Sequence, residues 1–488
     1  MSNQIPFSEP PWLDGLPSPY YKETHRNFQK ACRAFIDEHL APYAIEWERE
    51  ETAPPQLFET FRKHNMLIPN LPAPLPVEWL HRVGIYDILG VKVEEWDYFH
   101  TSIYLDEMSR VGTTGPGGSM TAGHAFGIPP IIKFGSKALH EKFLPDLLPG
   151  KKRACIAITE PGAGSDVANI ATTAKKTPDG KHYIINGEKK WITNGFWSDY
   201  AAMAVRTGGK GASGLSMIVC PLKGYPGVTM RRLKVQGQIA AGTTYIELDD
   251  VKVPVENLIG EEGKGMGYVM VSVPFAFCLL IAGSPASVVG HPLLVARRHR
   301  GFGQHYYLSA TSTDLFSVDK LQPRTPHNRL RRHPLRPRRP LSSHGIRNEA
   351  RSFGKTLVEQ PVVRHRLAKA GAELEMMQAW VESFLYNMTQ LSKEEADARL
   401  GGLTALAKAK AGMVLNECAQ TAVLLFGGNG YTRTGQGEIA EKMYREVMGA
   451  RIPGGSEDVM LDLAIRQLVK NYHRETAKLD RPKGSSKL

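Results

Sequence analysis

The segment TEPGAGSD, residues 159–166, sets two glycines in a short turn behind the apolar run CIAI. Without a Cβ in the way, backbone N–H groups of such a turn can come close to a phosphate or another anionic edge. Further along, KKWITNG (189–195) carries Trp191 and Thr193 two residues apart. On a strand that spacing puts an indole and a hydroxyl on one face. Near the other end, LLFGGNGY (424–431) is a second glycine-rich stretch, and RIPGGSEDVM (451–460) places Gly454 and Gly455 ahead of Ser456, Glu457 and Asp458. No Asp or Glu occurs between Glu262 and Asp314. The five cysteines are scattered with no C-x-x-C pair, which points to buried or free thiols in a reducing compartment and away from a disulfide framework or zinc site.

These residues need a scaffold, and the sequence divides into three kinds of pattern. From Tyr21 to about Gly150 the period is helical: Phe28, Cys32, Phe35 and Leu40 fall near one face of a helix that Pro42 ends, and TSIYLDEMSRVG and SKALHEKFLPDLLPG predict further helices. PAPLP at 72–76 is a loop. From Arg153 seven strand candidates follow: RACIAIT, HYII, KKWIT, YAAMAVRT, LSMIVCPL, VTMRRLKV and TYIELDDVKVP. Asn186-Gly187 lies between two of them and predicts a type I′ hairpin turn. From about Gln360 long amphipathic helices return, with Ser392 and Glu395 forming a capping box. Residues 271–346 show neither period.

The chain of 488 residues carries a net +12, yet residues 291–350 alone hold twelve Arg plus Lys against three Asp plus Glu, a net +9. The basicity is therefore local, and the remaining +3 makes no case for a nucleic-acid partner. The stretch Gly265–Ala296 lacks charged side chains, but Pro274, Pro285 and several Ser and Gly interrupt it, so no membrane span is expected. The last residues, Ser486-Lys487-Leu488, match a peroxisomal address read by the import receptor.

TEPGAGSD and KKWITNG resemble the acyl-CoA dehydrogenase family, flavoenzymes that oxidise the α–β bond of an acyl thioester. The likeness extends to IPPIIKFG (128–135), IELDDVKVPVENLIG (246–260), RSFGKTLVEQPVVRHRLA (351–368) and LLFGGNGY, nearly the whole chain except 271–346. It implies an α+β fold: an N-terminal helical domain (1–152), a central β-barrel-like domain (153–264) and a C-terminal four-helix bundle (265–480), before a polar tail (481–488). It implies FAD as cofactor, lined by Ile156, Ala157, Ile158, Thr159, Gly164 and Ser165, with Trp191, Ile192 and Thr193 at the isoalloxazine. Arg351, Gln360, Leu424, Phe426, Gly427, Gly428, Ser456, Glu457 and Asp458 complete the cofactor set, the 424–428 segment reaching the FAD of a neighbouring subunit in a homodimer or homotetramer. Leu424 stands where the family usually has glutamine, and Arg351 is offset by one from the family's flavin-phosphate arginine. Ser165, Gly454 and Gly455 fall to the acyl-CoA substrate. The electron acceptor is an electron-transfer flavoprotein or oxygen, and the product the trans-2-enoyl-CoA.

The family takes its catalytic glutamate either from the loop before the last helix or from the helix following GKGMGYVM. In this chain the loop position is Gly454, and where NHER is expected after GKGMGYVM the sequence reads VSVPFAFCLLIAG. Glu457 is the remaining substitute. Prolines 323, 326, 334, 337 and 340 each oppose a helix interior by about 3 kcal/mol. The expectation is that 271–346 is out-of-frame or intron-derived translation and that the chain as written is impaired. The alternative is a non-catalytic paralogue with a basic nucleic-acid-binding arm.

Overall fold

The computed structural model describes residues 9–272, 351–352 and 354–479. Most of the divergent stretch and the terminal Ser486-Lys487-Leu488 lie outside the described residues.

The N-terminal layer consists of α1 (Glu23–His39), α2 (Ala44–Arg49), α3 (Pro55–Lys63), α4 (Val77–Arg82), α5 (Tyr98–Ser109), α6 (Gly115–Ala122), α7 (Pro129–Phe134) and α8 (Lys137–Leu147), with a short hairpin of β1 (Asp87–Ile88) and β2 (Val91–Lys92). Phe28, Cys32, Phe35 and Leu40 are buried as the helical period requires, and α1 stops before Pro42. Asp97 opens α5 by accepting the N–H groups of Phe99 and His100. Between α6 and α7 the chain widens into a π-helical turn, Gly123–Gly127, that lies directly on the following strand. A Cβ at Gly123 would sit 2.5 Å from the Ala154 carbonyl oxygen, and one at Gly127 would sit 2.8 Å from that of Cys155.

Eight strands make the central domain: β3 (Ala154–Ala157), β4 (Thr173–Lys176), β5 (His182–Ile192), β6 (Tyr200–Arg206), β7 (Leu215–Pro221), β8 (Val228–Arg232), β9 (Thr244–Pro254) and β10 (Leu258–Ile259). Their order is β10-β7-β6-β4-β5-β9-β8, with β3 added in parallel alongside β6. Alternate residues of β3, β5, β6, β7 and β9, such as Cys155, Ile185, Met203, Ile218 and Val251, meet in one core inside the folded sheet. The opposite faces of β6 and β7 (Ala202, Ala204, Met217, Val219) pack into the helical core instead. Burial on both faces explains why these two strands are continuous apolar runs.

Two strand expectations are corrected. HYII and KKWIT are one strand, β5, not the arms of a hairpin at Asn186-Gly187. Gly187 has φ +142° and lies at a register shift against β9; its Cβ would come 2.7 Å from Thr172. The glycine serves a close approach, not a turn. The reversal sits upstream, where Gly180 (φ +70°) closes a turn on Thr177 between β4 and β5.

The chain re-enters helix at α9 (Gly265–Ser272). A hairpin of β11 (Arg351–Ser352) and β12 (Lys355–Thr356) precedes α10 (Pro361–Gln390), α11 (Lys393–Phe426), α12 (Glu438–Arg451) and α13 (Glu457–Leu479). The Ser392–Glu395 capping box forms as expected. Met377, Val381 and Leu385 of α10 and Ala407 and Ala411 of α11 join the N-terminal helices and the outer face of the sheet in one core. No helix among the described residues is long and apolar enough to cross a membrane.

Candidate functional site

The first two motifs meet at the end of β3. The Lys190 N–H donates to the Thr159 carbonyl at 2.9 Å, so Trp191 lies beside the TEPGAGSD turn. Glu160 and Ala163 close that turn with two reciprocal backbone hydrogen bonds of 3.1 and 3.2 Å. This leaves Gly164 and Ser165 exposed, and nothing stands within 4 Å of where a Cβ would be at Gly162 or Gly164. Trp191 is 49% exposed with φ +60°, and Lys190 Nζ lies 4.5 Å from its ring centre. Thr193 is exposed as well, while Ile192 between them is buried. Ile192 and Ala157 thus turn their side chains into the β core, leaving only backbone for a ligand. Ile156, Ile158 and Thr159 are half-buried.

Sequence reasoning missed what lies beneath these residues. Lys189, fully buried, donates to the Ile158 carbonyl (3.0 Å) and to Glu160 (2.8 Å). Glu160 in turn accepts the N–H groups of Ala171 (2.6 Å) and Thr172 (3.0 Å). Burial pulls the Lys189 ammonium down to about 8 against the attraction of Glu160. For Glu160 burial acts upward, but the Lys189 charge and these hydrogen bonds hold it below the usual carboxylate range. An open cleft of about 720 Å³ borders the turn, but Glu188, Glu247 and Asp249 line it, a poor match for the phosphates of a nucleotide.

The glycine loop is reached through a second junction. The Asn194 N–H donates to the Ala241 carbonyl (2.9 Å), and the Asn194 amide donates to the Ala154 carbonyl (3.1 Å). Residues 237–240, just before Ala241, pack against α12: a Cβ at Gly237 would come 2.7 Å from Glu446, and one at Gly449 would come 2.8 Å from the Gln238 side chain. A buried charged network ties the layers together here. Lys442 of α12 bridges Glu48 of α2 (2.6 Å) and Glu446 (2.9 Å). Glu48 accepts the Ile239 and Ala240 N–H groups, and Glu446 accepts from Thr113 and Thr114.

The loop 452–456 leaves the end of α12. Gly454 and Gly455 have φ +69° and +96°, left-handed conformations natural to glycine. Lys408, buried beneath, donates to the Arg451 and Gly455 carbonyls. Glu457 is tied to Arg451 through both Nε (2.8 Å) and Nη2 (2.7 Å), while Asp458 is exposed and Ser456 half-buried. Leu424 (52% exposed), half-buried Phe426, and exposed Gly427 and Gly428 lie at the end of α11, on the helical side of the molecule. Gln360 occupies the N-cap position of α10 without a side-chain cap hydrogen bond, and Arg351 pairs across to Thr356; the Arg351 side chain is outside the described residues.

Among the described residues one group of metal-ligating types closes up: His25, Asp97 and His100. The Lys22 N–H donates to His25 Nδ1 (2.9 Å), so the ring proton sits on Nε2 and points to Asp97 (3.0 Å). A metal would need that lone pair. The cluster is instead a network that caps α5.

Three family models match the chain: "Acyl-CoA dehydrogenase, N-terminal domain" at residues 22–151, "Acyl-CoA dehydrogenase, middle domain" at 155–251 and "Acyl-CoA dehydrogenase, C-terminal domain" at 343–469. The sequence is 62% identical over 477 residues to acyl-CoA dehydrogenase apdG of Emericella nidulans, covering 98% of each chain. It is 28% identical over 462 residues to the mitochondrial long-chain specific acyl-CoA dehydrogenase of Mus musculus, covering 92% of this chain and 88% of that one. The structure of acyl-CoA dehydrogenase from Geobacillus kaustophilus superposes with a TM-score of 0.71 at 25% identity, covering 93% and 100%. Acyl-CoA dehydrogenase complexed with FAD from Bacillus anthracis has the same fold, with a TM-score of 0.72 at 23% identity over 97% of this chain and 70% of that one.

Proposed function

Because the chain belongs to the acyl-CoA dehydrogenase family of FAD-dependent oxidoreductases, we propose that its site is built to convert an acyl-CoA to the trans-2-enoyl-CoA but lacks the base for it. The residues fit a flavin. An exposed indole, Trp191, and an exposed hydroxyl, Thr193, flank the buried Ile192 beside a glycine turn with open space over its backbone. When bound, FAD supplies the acceptor for the hydride lost from the β-carbon. The protein's own task is to hold the thioester, stabilise the charge that develops on its carbonyl and remove the α-proton. Gly454 offers its N–H to that carbonyl, and Ser165 offers a hydroxyl to the pantetheine arm.

The observation that carries the impairment is Gly454 at the position of the loop glutamate. Glu457 is a poor substitute, because its Oε2 is already held by both Nε and Nη2 of Arg451. Loss of a general base costs about 10²–10⁴ in rate. Gly454→Glu and Gly454→Asp restore a carboxylate. At φ +69° a side chain is strained by about 1–2 kcal/mol, and aspartate tolerates this conformation better than glutamate. The test is enoyl-CoA formation with an artificial electron acceptor. A variant should gain turnover at least tenfold over the parent, and a parent already as active as the variants refutes the proposal. We further propose a peroxisomal location through Ser486-Lys487-Leu488; a fluorescent fusion should become cytosolic when those residues are removed. Reoxidation of reduced protein by oxygen and by electron-transfer flavoprotein, measured side by side, identifies the acceptor.

A further inference from the structure

We propose that Lys189, held by Glu160, is a positioning residue that turns Trp191 out of the β core and onto the cofactor face. This inference rests on the chain binding FAD.

Strand β5 alternates between core and surface. Tyr183, Ile185 and Lys189 all point inward. A strand of period two would send residue 191 the same way, burying the indole in the core. It does not, because β5 bulges between Lys189 and Ile192: Lys189 pairs with Ile246 and Ile192 with Thr244, three steps on β5 against two on β9. The extra residue is taken up at Trp191, whose φ of +60° is rare for a bulky side chain. Strain of this kind persists only where the surroundings over-determine it.

Lys189 supplies the constraint on one side. Its ammonium has no exposed surface and two acceptors, the Ile158 carbonyl and Glu160, both in the segment that lines the cofactor site. Glu160 is itself fixed by the Ala171 and Thr172 N–H groups. Lys189 therefore cannot shift along the strand without leaving a buried charge unpaired. The next residue is locked as well, since the Lys190 N–H is bonded to Thr159. On the other side Ile192 fills the core. With 189, 190 and 192 all assigned, the only place left for the Trp191 side chain is outward.

The test compares the full-length parent with Lys189→Arg, Lys189→Met and the double variant Glu160→Met/Lys189→Met, with Trp191→Phe as the reference for a missing indole. The double variant leaves no unpaired buried charge, though it takes the acceptor from the Ala171 and Thr172 N–H groups, so its urea midpoint is recorded beside the parent's. Two further readouts are taken: the FAD dissociation constant, and the residual fluorescence of bound flavin, which a stacked indole quenches. The double variant should weaken FAD about tenfold and raise bound-flavin fluorescence toward the Trp191→Phe value. Lys189→Arg, which keeps a cation toward Glu160, should lie between it and the parent. A folded double variant with parental affinity and quenching overturns the proposal. So does a double variant that fails to fold, since the pair then serves folding alone. A parent that takes up no FAD overturns the underlying functional reading instead.

Discussion

Replacing Lys442 by methionine tests the junction of the three layers. The side chain length is kept and the ammonium removed, leaving Glu48 and Glu446 facing each other with 5% and 3% of their surfaces exposed. Breaking a buried pair by removing one partner typically costs 3–5 kcal/mol. Here each carboxylate keeps other donors: the Ile239 and Ala240 N–H groups for Glu48, and Thr113 and Thr114 for Glu446. The lower end, about 3 kcal/mol, is therefore expected. Unfolding entropies of about 2 cal/mol/K per residue give about 1 kcal/mol/K for this length, so the Tm should fall by about 3 °C. Circular dichroism melts of the parent, Lys442→Met, Glu48→Gln and the double variant form a mutant cycle. The double variant should recover part of the loss, because one buried charge is gone. A Lys442→Met melt within 0.5 °C of the parent, or strictly additive losses, refutes the claim that the three charges act as one buried network.

Other outcomes follow from single contacts. His124 is fully buried and donates to the Leu148 carbonyl, and burial pulls its pKa down to about 4. Its folded value lies below its unfolded one, so its contribution is present above about pH 6.5 and is lost as pH falls toward 4. That loss is up to about 3 kcal/mol, and His124→Gln should flatten this part of the urea-stability profile. Gly123→Ala pushes a methyl onto the backbone of β3 and should destabilise by about 1–3 kcal/mol, seen as a lower urea midpoint. Ser392→Ala removes the cap of α11 and should cost about 1 kcal/mol in the same measurement.

Much of the scaffold was legible because burial imposes a period. The stripe of α1, the double-sided runs of β6 and β7 and the cap at Ser392 all follow local rules. The hairpin at Asn186-Gly187 did not hold, because the dipeptide reports conformational freedom, not the use made of it. Here Gly187 admits Thr172, and the turn belongs to Gly180. The short strand β4 carries no legible period, because its two lysines are exposed and Ala174 is its only buried residue. The motifs single out Trp191, Thr193 and the glycine loops because their residue types suit a ligand. The buried charges were not legible: a lysine such as Lys189 is ordinarily solvated, and Glu48 and Lys442 stand 394 positions apart.

A flavin site with its platform intact and its base absent should bind substrate without oxidising it, which anaerobic single-turnover reduction reads out. Purified full-length protein saturated with FAD is mixed with a series of acyl-CoAs of increasing chain length, and the oxidised flavin band is followed. The parent should show a spectral shift on binding without bleaching, and Gly454→Asp or Gly454→Glu should bleach. Rapid bleaching of the parent by any acyl-CoA in the series would contradict this and would assign the base to Glu457 or another carboxylate of this chain.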